Sequence, residues 1–73
     1  MIMKGKIFKY TDKDGNDVKA VGFYEDQNPD LVRSKKVALR ILDNDLNLKK
    51  TEAGEDIKII KDYSLLTRIG FWS

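Results

Sequence analysis

Asp12-Lys13-Asp14-Gly15-Asn16-Asp17 constrains this fold more than any other stretch of the chain. It lies between two runs rich in β-branched and aromatic residues. Lys6–Thr11 reads K-I-F-K-Y-T, and Val18–Tyr24 reads V-K-A-V-G-F-Y. Both have the composition of strands. Between them, Asp12-Lys13-Asp14-Gly15 fits a type I turn. Its aspartate accepts a backbone N–H, and Gly15 takes the left-handed conformation of a G1 bulge. A turn of that kind sets a register. Thr11 faces Asp17, Tyr10 faces Val18, Phe8 faces Ala20 and Ile7 faces Val21. Phe8, Tyr10, Val18 and Ala20 then share one face and can be buried together. Lys9 falls opposite Lys19 on the other face, a pair of like charges that calls for solvent or an anionic partner.

The same letters open a calcium-binding EF-hand loop. Asp12, Asp14 and Asn16 occupy its first, third and fifth positions. That loop also needs glycine at the sixth position, a bidentate glutamate at the twelfth and helices on both sides. Here those positions hold Asp17 and Phe23, and both flanks are strand-like. Asp43-Asn44-Asp45-Leu46-Asn47 repeats the spacing and fails the same tests. Both stretches read as turns, and no metal site is expected.

The one proline, in Gln27-Asn28-Pro29-Asp30, marks a break between two halves. After it, Lys36–Leu42 is a third strand, with a short extension at Leu46–Lys49. A turn at Glu52–Glu55 leads into a fourth strand, Ile57–Lys61. The C-terminal segment admits two readings. One is a two-turn helix from Asp62 or Ser64 to Gly70. The other is a single 3₁₀ turn over Asp62–Leu66 followed by a fifth strand, Thr67–Trp72. The second is preferred, because an isolated two-turn helix is marginal and Arg68–Trp72 is aromatic and β-branched. The expectation is a single all-β domain over residues 1–73, a small, partly open five-stranded barrel with one 3₁₀ turn before its last strand. In element order this resembles the SH3-like barrel superfold. No binding motif of the signalling SH3 domains is present, so the resemblance implies no ligand.

Composition narrows the function. There are 73 residues with no histidine and no cysteine. The usual general base, pH switch and transition-metal ligand are missing, and so are disulfides and thiolate zinc sites. No phosphate-binding glycine loop is present, and the carboxylates sit in expected turns, where local hydrogen bonding favours aspartate. A non-enzymatic chain without cofactor is expected. There is no long apolar run to span a membrane, and Met1–Lys6 lacks the apolar core of a secretory signal, so a cytoplasmic setting is the default.

Formal net charge is only +2, yet the basic residues concentrate in or beside strands and the acidic ones in loops. Lysines and rings interleaved on a curved sheet suit single-stranded nucleic acid. The expected binding residues are Lys9, Lys19, Lys35, Lys36, Arg40, Tyr10, Tyr24 and Trp72. The plainer alternative is that strand lysines only guard against aggregation and that a small barrel spends its rings on its core. Phe8, Val21, Phe23, Val37, Leu39, Ile41, Ile57, Ile59 and Ile69 are the expected core. Tyr10, Tyr24, Tyr63 and Trp72 are the rings expected near the surface, although Trp72 can equally cap the barrel bottom. The functional expectation is a binding module for nucleic acid, a monomer or weak dimer. The alternative is a protein–protein module or inhibitor that meets an anionic protein surface and uses Trp72. An accessory protein of the sort bacteria, their phages or mobile elements encode is the expected setting.

Overall fold

The computed structural model describes residues 4–72. The N-terminal stretch read for a secretory signal falls partly outside them, at 1–3. The chain is all-β. Its five strands are β1 (Gly5–Thr11), β2 (Asp17–Phe23), β3 (Lys36–Leu42), β4 (Lys58–Asp62) and β5 (Thr67–Trp72). They form one antiparallel sheet in the order β4-β3-β2-β1-β5. The sheet is open: β4 and β5 are its edges, and no ladder joins them among the described residues.

The first hairpin has the expected register, with Thr11↔Asp17, Tyr10↔Val18, Lys9↔Lys19, Phe8↔Ala20 and Ile7↔Val21. The turn forms because Asp12 satisfies it locally. Its carboxylate accepts the N–H groups of Asp14 and Asn16, both at 2.9 Å. Gly15 adopts φ 83°. The chain uses this device three times. Asp43 accepts from Asp45 and Asn47 at 2.8 and 2.9 Å, and Thr51 Oγ1 accepts from Glu55 at 3.2 Å. The left-handed residue is Leu46 (φ 64°) in the second turn and Gly54 (φ 82°) in the third. These last two turns punctuate the long β3–β4 connection, which carries only isolated bridges, Leu42↔Leu48 and Lys50↔Asp56.

Between β2 and β3 the chain is more helical than expected. A 3₁₀ turn (Tyr24–Asp26) precedes a five-residue helix, α1 (Pro29–Arg33). Asn28 caps α1 by accepting from Asp30 N–H at 2.8 Å, and Pro29 sits at its first position, where a missing N–H costs nothing. The C-terminal segment takes the preferred form, a 3₁₀ turn over Tyr63–Leu65 and then β5.

The buried core is small and divided between the two faces of the sheet. On one face Ile7, Val21, Phe23 and Leu42 are covered by Leu46 and Leu48 of the β3–β4 connection and by Trp72. On the other, Phe8, Tyr10, Ala20 and Leu39 gather Val18, Val37, Ile41, Ile59 and Leu66. Of the expected core, Val37, Ile41, Ile57 and Ile59 are only half-buried, and Ile69 is exposed. Ile69 lies outside the core because the β1–β5 register shifts there. Ile7 pairs with Gly70 and Phe8 with Arg68, so Ile69 is the extra residue of a bulge.

Candidate nucleic-acid interface

Strand alternation and register assign each strand residue to one of two faces. One face carries Lys9, Lys19, Lys36, Arg40 and Lys58, with two carboxylates, Asp17 and Asp62. The other carries Lys6, Lys61 and Arg68, and every charged strand residue on it is a cation.

Most of the cations nominated from sequence fall on the mixed face, where Lys9 and Arg40 already have acidic partners. Lys9 faces Lys19 as expected, and its ammonium lies 3.9 Å from Asp17. Arg40 is not an exposed contact. Its guanidinium meets Asp26 at 2.9 Å and Asp56 at 3.1 Å and lies 5.0 Å from the centre of the Phe23 ring. With its side chain only 15% exposed, Arg40 is a structural link among β3, the 3₁₀ turn at Tyr24–Asp26 and the β3–β4 connection. The sequence reading leaves every carboxylate solvated, and Asp56 is an exception. A hydrogen bond from Lys50 and the positive charges of Lys50, Arg40 and Lys58 hold its pKa below the ordinary value, against the opposing effect of burial.

Two of the nominated rings are also turned inward. Tyr10 is 9% exposed, packed in the second core cluster with the Lys61 ammonium 4.8 Å from its ring centre. Burial first, and the nearby Asp12 charge second, raise its pKa. The pairing Gly5↔Trp72 places Trp72 on the first core cluster, where it meets Phe23 edge-on at 6.1 Å. It caps that cluster, and the neighbouring Phe71 takes the outward position.

Tyr24 and Lys35 are different. Both border a groove of about 410 Å³ on the cationic face. Its floor is Phe8, Gly22 and Val37, and its sides are Tyr24 and Tyr63. Tyr24 is 62% exposed and Tyr63 56% exposed. The Tyr63 ring stands edge-on to Phe8 at 6.1 Å, and the Lys6 ammonium lies 5.9 Å from the centre of the Tyr24 ring. Lys36 also borders the groove, but alternation directs its side chain to the face that holds its cross-strand partner Asp62. No lining residue is acidic.

The groove exists because β2 and β3 part company. Their ladder runs Lys19↔Leu42, Ala20↔Ile41, Val21↔Arg40 and then stops. Beyond it, the side-chain amide of Gln27 bridges the strands. Gly22 has no side chain to fill the opening, and a Cβ there would meet Val37 at 3.3 Å and Leu39 and Phe8 at 3.4 Å. Lys35, left-handed at φ 59°, ends α1 and turns the chain into β3. Its carbonyl accepts the Tyr63 N–H at 2.8 Å, which ties the Lys35 border of the groove to its Tyr63 side.

The roles of Lys6 and Tyr63 are not separable in sequence from those of other strand lysines and surface tyrosines. The cue for Lys6 was the hairpin register, which sets it on the Phe8 face and opposite Gly22. Among the described residues no group of three or more carboxylates is arranged to hold a metal ion, and no helix is long and apolar enough to cross a membrane. No protein-family model, curated protein or solved structure matches the chain.

Proposed function

We propose that this protein is a non-enzymatic binding module for single-stranded nucleic acid, and that the strand lies in the groove between Tyr24 and Tyr63. One observation carries the reading: two exposed tyrosines flank an apolar floor on the face whose charged strand residues are all cations. Bases stack on aromatic rings whatever their identity, and lysines neutralise the phosphates beside them. Lys6, next to Tyr24, and Lys35, at the groove's border, are placed for that second task.

Anisotropy titration of a labelled oligothymidylate tests this. Affinity falls steeply as salt rises, because each neutralised phosphate releases counterions. Tyr24→Ala and Tyr63→Ala each weaken binding, by about 1–3 kcal/mol for each lost stack. Lys6→Glu weakens it, whereas Lys9→Glu and Lys19→Glu on the other face leave it nearly unchanged. Absence of binding at low salt would exclude the reading.

The exposed Val32 beside the groove, with Lys6 and Lys35 at its border, favours a second reading, docking of a peptide that carries both apolar and acidic side chains. Peptide binding through an apolar groove is less sensitive to salt than a phosphate backbone, so the salt slope separates the two.

A further inference from the structure

Phe71 is 68% exposed, more than any other exposed large hydrophobic residue described. It is not isolated. Its cross-strand partner is Lys6, the same lysine that stands beside Tyr24. The Arg68 guanidinium lies 5.2 Å from the centre of its ring. Arg68 in turn pairs with Phe8, on the groove floor. From Tyr24 through Lys6 to Phe71 and Arg68, rings and cations therefore alternate across β1 onto β5, outside the groove itself.

We propose that Phe71 and Arg68 form a second stacking subsite for a base of single-stranded nucleic acid, continuous with the groove. This rests on the nucleic-acid reading of the groove and extends its footprint to the sheet edge. The strand leaves the groove over Lys6, which meets the intervening phosphate, and its next base lies on the Phe71 ring. Charge complementarity favours this occupant. The Arg68 guanidinium lies over the ring, Lys6 is its cross-strand partner, and no strand position on this face carries a carboxylate. A ring flanked by cations suits a flat base joined to a phosphate. The competing occupant of an exposed edge is a second copy of the chain pairing through β5.

The test compares labelled oligothymidylates about three and about eight nucleotides long, at low salt, with full-length protein. Phe71→Ala weakens the longer probe about tenfold, as loss of one stack implies, and leaves the shorter one unchanged. Phe71→Tyr restores the longer probe, whereas Phe71→Leu does not, because an apolar side chain without a ring cannot stack. Unchanged far-ultraviolet circular dichroism confirms that each variant folds. Equal effects at both lengths, no effect at either, or full rescue by Leu would overturn the subsite while leaving the groove reading intact. Loss of concentration-dependent dimerisation in Phe71→Ala, with binding unaltered, would assign the ring to a second copy instead. If the wild-type protein binds neither probe, both proposals fall.

Discussion

Gln27 takes the place of a strand beside Ala38. Its side-chain amide donates to the Ala38 carbonyl at 2.9 Å and accepts from the Ala38 N–H at 3.3 Å. The same nitrogen donates to the Phe23 carbonyl at 3.0 Å. Continued past Val21↔Arg40, the β2–β3 register would set Phe23 against Ala38. The amide fills that gap, so the strands splay without stranding their polar groups, and the groove opens beside them. Gln27→Ala removes all three bonds at part-buried sites and costs about 2 kcal/mol. Gln27→Glu is no better, since a carboxylate cannot donate to two carbonyls. Urea unfolding followed by the fluorescence of the single tryptophan reads both. A Gln27→Ala midpoint equal to that of the wild type would show that water replaces the amide without loss.

The three turns of one design separate backbone cost from packing. Gly15 is left-handed, and a Cβ there would touch nothing within 4 Å. Gly15→Ala is therefore a purely conformational change and destabilises by about 1 kcal/mol. Leu46 occupies the equivalent position in the second turn, but its side chain packs on the Ile7–Leu42 cluster. Leu46→Gly relieves about 1 kcal/mol of backbone cost and loses about as much from partial burial, so it changes stability little. Thermal melts of the two variants check the contrast. A large loss for Leu46→Gly would mean that packing dominates at that turn.

The strands were legible because turn chemistry and β-composition agree. Asp12 and Gly15 set the register of the first hairpin down to Ile7↔Val21 before any tertiary contact is considered. The candidate site was less legible, for two reasons. Burial of Tyr10 depends on how the sheet curves and on where Lys61 and Leu66 land, which are long-range consequences of closing the fold. Arg40 looks like any strand arginine until Asp26 and Asp56, distant in sequence, arrive on either side of it. Strand alternation did place Lys9 beside Lys19. It could not place either relative to Tyr24, which lies past the end of β2 in a turn of its own. The outward Phe71 and inward Trp72 follow from the β1–β5 pairing, which a terminal strand of ambiguous type does not announce.

Asp56 ties stability to acid. In the unfolded chain it titrates near 3.8, and in the fold its pKa is lower. The folded state thus holds this proton less tightly. Its stabilising effect is complete above the unfolded value and is lost as the pH falls through that value towards the lower folded one. Asp56→Asn destabilises the protein at neutral pH and flattens the acid limb between about pH 5 and pH 2. The Lys50 side chain is half exposed, so salt screens its share more than that of Arg40. Urea midpoints across that pH range, for wild type and Asp56→Asn, make the comparison. Parallel curves would place the acid sensitivity in another carboxylate.

Lys35 is where stability and binding pull apart. A lysine at φ 59° bears a left-handed backbone that glycine adopts freely, and glycine is the common residue at the end of a helix. Lys35→Gly therefore stabilises the fold by about 0.5–1 kcal/mol, net of the greater freedom glycine gives the unfolded chain. The turn itself is retained, since the Lys35 N–H to Val32 and the Lys35 carbonyl to Tyr63 are backbone bonds that glycine can make equally well. The same change removes a cation from the groove's border and reduces the salt slope of oligonucleotide binding by about one, with weaker affinity at low salt. Position 35 would thus hold a lysine at a cost in stability, a trade expected of a residue kept for a ligand. Denaturation and anisotropy on the same protein preparation decide the matter. If Lys35→Gly gains stability and binds as well as the wild type, Lys35 takes no part in holding the strand, and Lys6 alone meets the phosphate beside Tyr24.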